Sequence, residues 1–418
     1  MTSRTVASVA KRDIDFAELS IATVGGLALA LIAMFLCVVP LAGNITSGRD
    51  FVVFWATGQQ LIHHANPYDA AAIGQIERTA GLNPGYGILF MRNPPWALLL
   101  VLPLGLVGLR VGALLWSLVL LVCMMVSEWL IWLVHGRPGN RIHWLALSFA
   151  PALICFFMGQ TALFALLGLV LFLWLHRTHP FMAGLALWLC ALKPHLFLPF
   201  GVVLLAWVIV SRSYKILAGV AVALTASCGA VWLMDPSAWR DYSNMMSAPG
   251  IAKEFIPCLS VAMRLWLSPQ SVWLQYLPAA LACAWALAYF WRRRAAWDWM
   301  KDGSVLMLVS LIAAPYCWLY DQAVALPAVL QGAYSTRSRA LLTALALVNI
   351  PIMAALMYGI KVTAAFYLWI APAWLAWYLL ARAFSGEASI DTPSSVTIMD
   401  SDRGPDLSPG ERTKGGSR

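Results

Sequence analysis

From Ile21 to Ala42 the chain runs without a charged residue, and comparable apolar stretches recur along most of its length. A run of that length matches the roughly 20 residues a helix needs to cross a hydrocarbon core, where only helices and closed barrels satisfy every backbone N–H and C=O. Apolar residues make up 61% of the 418 and charged residues 11%, a balance that no soluble core of this size requires. The chain therefore reads as an all-α polytopic membrane protein. Candidate spans begin near Ile21, Val111, Trp144, Thr161, Phe181, Leu196, Ile216, Val272, Val305, Ala323, Ala340 and Val362, which makes about twelve transmembrane helices. Several have apolar cores too short for a bilayer, so they are expected either to be extended by polar turns or to be buried where the protein surrounds a wet cavity.

The formal net charge of +9 comes from basic residues scattered singly or in short clusters between apolar spans, so it reflects membrane topology and not nucleic-acid binding. The 21 Trp suit helix ends at headgroup depth. The eight Cys lie almost entirely in apolar spans and form no C-x-x-C, which makes them small buried hydrophobes. The first apolar run lacks a clear cleavage pattern and is expected to be an uncleaved helix, with Arg4, Lys11 and Arg12 on the cytoplasmic side.

Two further apolar runs, Pro95 to Leu109 and Phe255 to Leu267, are short and are interrupted by Pro103 and Arg264. If they are re-entrant or interfacial, Arg137, Arg141, Arg177, Arg212, Lys215, Arg292 to Arg294, Lys301, Arg337 and Arg339 all face the cytoplasm, as do both termini. The same topology gathers Asn44 to Asn93, Met158 to Gln160, Lys193 to His195, Asp235 to Glu254, Tyr316 to Asp321 and Tyr358 to Lys361 on the outer face. A site, if there is one, should be assembled from these segments. Residues 1–384 form the expected membrane domain, with amphipathic helices in its long first outer loop. Residues 385–418, rich in Ser, Gly, Pro and Asp, form an expected disordered cytoplasmic tail.

Asp50 opens the first outer segment, and an acid at the lip of a membrane is costly enough to read as a site residue. It has two readings, as the N-cap of a helix starting at Phe51 and as a general base. Asn66-Pro67-Tyr68-Asp69 forms a turn in which Asp69 is placed to cap an Ala-rich helix or to meet a substrate. Arg92 is either a headgroup anchor for membrane lipids or a ligand for a lipid phosphate. Lys193 either snorkels to the interface or, with His195, neutralises an anionic leaving group. Gln160 is a helix contact or a substrate contact, and Asp321 a cap or a site residue. His63 and His64 diverge on a helix with no acid or Cys suitably spaced, so no metal site and no cofactor are expected. No P-loop, G-x-G-x-x-G, H-E-x-x-H or G-x-S-x-G stands in a credible setting.

Taken in order, D-F-x-V-F-W from Asp50, N-P-Y-D from Asn66, N-P-P from Asn93, P-L at Pro103, G-Q at Gly159, L-K-P from Leu192 and A-P-Y-x-W-x-Y-D ending at Asp321 resemble the pattern of glycosyltransferase family 87, of the polytopic GT-C type. The resemblance runs from Arg49 to about Ala333; Thr161 departs from it, where Asn is frequent. It implies an inverting hexosyltransferase, most closely a mannosyltransferase, in the bacterial plasma (inner) membrane. Such an enzyme moves a sugar from a polyprenyl-phosphate donor to a lipid or glycan acceptor on the outer face. In these terms Asp50 is the general base and Lys193, His195 and Arg92 meet the donor phosphate. Gln160, Asp321, Tyr68 and Asp69 are substrate contacts. A carrier or flippase for a lipid-linked sugar, or a scaffold binding lipid without turnover, would need the same basic contacts but no base. A carrier would place its charges at the midplane in two repeated halves, whereas the acids here cluster at the outer segments.

Overall fold

A computed structural model describes residues 16–38, 49–82, 88–248 and 253–385. The expected tail lies outside these residues except for Ser385. Among the described residues every regular element is helical. In chain order they run α1 (Phe16–Val38), α2 (Arg49–Ile62), α3 (Ala70–Thr79), α4 (Leu98–Val101), α5 (Leu109–Val134), α6 (Ala150–Met158), α7 (Ala162–Leu175), α8 (Pro180–Cys190) and α9 (Leu198–Ser211). There follow α10 (Tyr214–Met234), α11 (Ala238–Met246), α12 (Leu259–Leu267), α13 (Trp273–Arg293), α14 (Asp302–Ala313), α15 (Leu326–Ser335), α16 (Arg339–Met357) and α17 (Ile370–Ala383).

Six helical stretches among the described residues are long and apolar enough to cross a bilayer: Phe16–Cys37, Leu109–Val134, Pro194–Ser211, Tyr214–Met234, Trp273–Ala296 and Arg339–Met357. Each buries one stripe and leaves the other exposed. In α1 the stripe is Ala17, Ile21, Val24, Ala28 and Ile32, spaced three or four residues apart and packed on α16, while Leu27 and Met34 stay exposed. In α5 the stripe runs from Gly112 through Trp116, Leu120 and Ser127 to Ile131, with Val111, Leu115, Val122 and Trp129 on the outside.

Length and composition support six of the twelve expected spans among the described residues. Four apolar helical stretches, Pro95–Leu106, Ala162–Leu175, Pro180–Cys190 and Asp302–Ala313, are shorter than a bilayer requires. Helix α7 is buried on almost every side, packed by α5, α8 and Leu319–Ala325. A helix wrapped by other helices has no need to match lipid thickness. The run from Pro95 is broken into a 3-10 turn, α4 and a second 3-10 turn ending at Leu106. The run from Phe255 contracts to the nine residues of α12, about 14 Å long against a hydrocarbon core of about 30 Å.

Helix α2, expected to be amphipathic, is covered on most sides: Phe51, Val52, Val53, Phe54, Ala56, Gly58 and Leu61 are all buried. It lies against Leu102–Leu106 so closely that neither Gly58 nor Gly105 has room for a side chain. Two bonds tie the pair, from Gln59 Nε2 to Gly105 O at 2.7 Å and from Trp55 Nε1 to Val107 O at 3.0 Å. The helix carrying Asp50 is thus fixed to the segment that follows Asn93.

Candidate active site

A cavity of about 370 Å³ is lined by residues from five of the six polar segments and by Val362 and Thr363, which directly follow the sixth. Its volume is that of a small-molecule site. Asp50, Arg92, Gln160, Lys193, His195 and Asp321 all line it, joined by Glu254, Tyr316, Trp318 and Tyr320.

Asn93 explains the convergence. It is buried, and its side-chain Nδ2 donates to Leu192 O at 2.9 Å and to Thr161 Oγ1 at 3.2 Å. One carboxamide therefore joins the N-P-P, G-Q-T and L-K-P segments. Trp96 Nε1 adds a bond to Ala191 O at 3.0 Å.

Helix α2 begins at Arg49, so Asp50 stands inside the first turn and not ahead of it as an N-cap of a helix from Phe51. A carboxylate in a first turn is favoured by the helix dipole. Asp50 Oδ2 accepts from Gln160 Nε2 at 2.7 Å. Gln160 Oε1 in turn accepts from Lys193 Nζ at 3.2 Å, and the same ammonium donates to Asp321 Oδ1 at 2.6 Å. Asp321 is fully buried, and its Oδ2 accepts the backbone N–H of Trp318 at 2.9 Å. The result is a row of four side chains, Asp321, Lys193, Gln160 and Asp50, with a proton donor between each pair of acceptors.

Gln160 reaches Asp50 because α6 ends on Gly159, which adopts a left-handed φ of +74°. A Cβ there would sit 2.8 Å from Phe51 Cβ and 3.1 Å from Phe51 N. The turn thus packs its bare backbone on the residue beside Asp50. Trp116 Nε1 secures it by donating to Gly159 O at 2.7 Å.

Arg92 forms an ion pair with Glu254, and its guanidinium lies 6.0 Å from the Trp318 ring. Lys193 Nζ lies 5.1 Å from the Tyr320 ring. The His195 ring stacks on Tyr316 with centroids 3.7 Å apart, and its Nε2 is buried with no hydrogen-bond partner among the described residues. Burial pushes the hydroxyls of Tyr316 and Tyr320 up, helped at Tyr316 by Tyr242 and Asp321 and at Tyr320 by the carboxylates of Asp50 and Asp321. Both phenols stay protonated at neutral pH and can donate hydrogen bonds, not accept a proton.

Tyr68 and Asp69 do not line the cavity. The Tyr68 hydroxyl donates to Asn93 O at 3.4 Å, and Asp69 caps α3 by accepting from Ala71 N at 2.8 Å and Ala72 N at 3.3 Å. Conversely, Glu254 and the aromatic triplet Tyr316, Trp318 and Tyr320, expected only as parts of outer segments and without a role of their own, line the cavity. The intervening Cys317 lines a different pocket, and Tyr320 stands in the 3-10 turn Leu319–Ala325. No cluster of three or more His, Cys, Asp or Glu with metal-holding geometry occurs among the described residues.

A model of glycosyltransferase family 87 matches residues 90–315, more than half of the chain. The chain belongs to glycosyltransferase family 87. This glycosyltransferase matches no curated protein and no solved structure. The matched stretch holds Arg92, Gln160, Lys193, His195 and Glu254, while Asp50 and Asp321 lie beyond its two ends. A glycosyltransferase takes a sugar donor and an acceptor.

Proposed function

We propose that this integral membrane protein transfers a hexose, mannose in the first instance, from a polyprenyl-phosphate sugar to a lipid or glycan acceptor at the outer face of a bacterial inner membrane, its termini cytoplasmic. The observation that carries the reading is one cavity holding an amide-oriented carboxylate, Asp50, together with two cations, Arg92 and Lys193. A sugar hydroxyl is too weak an acid to attack unaided, and a positioned base contributes about 10²- to 10⁴-fold. Asp50 takes the acceptor's proton, the acceptor oxygen bonds to the anomeric carbon, and the bond from that carbon to the phosphate oxygen breaks with inversion. The electron pair leaves on the lipid phosphate, and cations aimed at its oxygens stabilise the developing charge.

Burial divides the work of those cations. Lys193 is held between Asp321 and Gln160, so its charge steadies the row that ends on Asp50 and supplies a positive field from behind. Arg92, half-buried, is the cation within reach of an incoming phosphate. His195 adds a ring nitrogen in the cavity wall.

Incubation of the purified protein with polyprenyl-phosphate mannose and a membrane lipid extract, followed by mass spectrometry, tests the reading. A new hexosylated lipid formed by the wild type and not by Asp50→Asn is expected. Donor bound and recovered intact, with no product across acceptors, would turn the reading toward a carrier.

A further inference from the structure

Each cation in the cavity is already paired with a carboxylate, and the two pairs differ in one respect. The side chains of Lys193 and Asp321 are 9% and 0% exposed, whereas those of Arg92 and Glu254 are 21% and 31% exposed. Separating a buried pair strands a charge in a low dielectric, while a half-exposed pair can exchange partners with water at hand. The exchangeable cation is therefore Arg92. Its contact with Glu254 runs through Nη2, and a phosphate that takes that N–H displaces the carboxylate.

We propose that Glu254 is a resident anion at the donor's phosphate subsite, a latch that occupies Arg92 when no lipid phosphate is bound and retakes it when the phosphate departs. The proposal rests on the donor reading above. Three contacts hold Arg92 in place while its partner changes. The Trp318 ring lies 6.0 Å from its guanidinium, the Tyr242 hydroxyl donates to its backbone O at 3.4 Å, and Asn93 beside it is anchored to Leu192 and Thr161. Exchange thus needs a change of side-chain partner and no refolding. Because the carboxylate competes with phosphate for the same N–H groups, it weakens donor binding and, by the same amount, helps expel the product lipid phosphate. The two segments it joins are 162 residues apart in sequence, so the pair also registers occupancy of the cavity between distant parts of the chain.

Binding of polyprenyl monophosphate to the full chain in detergent micelles tests this, with polyprenol as the uncharged control and inorganic phosphate as the lipid-free one. Glu254→Gln is expected to tighten polyprenyl monophosphate about two- to fivefold, as befits a partly exposed pair, and to leave polyprenol unchanged. In an Arg92→Gln background the same substitution should have no effect, because the coupling runs through the guanidinium. A matching gain for inorganic phosphate supports the latch and assigns the exchange to the phosphate alone. Phosphate-dependent binding that Glu254→Gln leaves unchanged or weakens overturns the latch and spares the donor reading. Failure of wild type and variants alike to distinguish polyprenyl monophosphate from polyprenol overturns both.

Discussion

Gln160 Nε2 donates a hydrogen bond to Asp50 Oδ2 at 2.7 Å, and Oε1 of the same amide accepts from Lys193 Nζ at 3.2 Å. An amide cannot take or release a proton at these positions, so it sets the direction of the carboxylate without competing for the acceptor's proton. Replacing Gln160 by Leu removes both contacts at similar size. Transfer should fall roughly ten- to a hundredfold, the cost of a misplaced catalytic group, with little change in donor KM. Steady-state kinetics with a polyprenyl-phosphate sugar would show the split; a change confined to KM would make Gln160 a substrate contact.

Asp50→Asn keeps the size of the side chain and an oxygen that can accept from Gln160, but it cannot take a proton. A loss of about 10²- to 10⁴-fold in turnover is expected, with membrane insertion and donor binding retained. Near wild-type turnover with a defined lipid donor would remove Asp50 as the base.

Lys193→Met leaves Asp321 buried without its counter-ion, and breaking such a pair costs about 3–5 kcal/mol. Thermal unfolding in detergent should fall accordingly and recover in the double variant Lys193→Met with Asp321→Asn. Lys193→Arg, which keeps the charge, should retain more transfer than Lys193→Met. Equal stability of all three variants would mean that the row does not carry the load assigned to it.

Topology is open to labelling. With the exposed native thiol Cys37 replaced, single cysteines near Arg137, Tyr214 and Arg337 should resist an impermeant reagent added outside, and one near Ser243 should react. Outside labelling at Arg137 would invert the orientation and move the cavity to the cytoplasmic side.

Much of this arrangement can be read from the residues, because membrane spans announce themselves by length and loops by charge. Helices start within a few residues of Ile216, Val272 and Ala340, and five of the six polar segments contribute to one cavity, with the sixth ending beside it. What stays hidden is pairing. Nothing in the order of residues shows that Lys193 meets Asp321, 128 positions away, or that Arg92 meets Glu254. Such partners are chosen by how the helices pack. Apolar content alone does not tell which neighbours cover a helix: α7 is apolar throughout and is buried within the protein.

Gly159 gives the site its ruler. The distance from Asp50 to Gln160 is set by two backbones in near contact, at Gly159 and Phe51, with only a hydrogen atom filling the gap. A methyl group at position 159 would act as a shim, lifting the first turn of α2 and drawing Asp50 off its partner without altering any group that takes part in the chemistry. The tolerance of the Asp50–Gln160 geometry is thus written into the thickness of a residue that has no side chain at all.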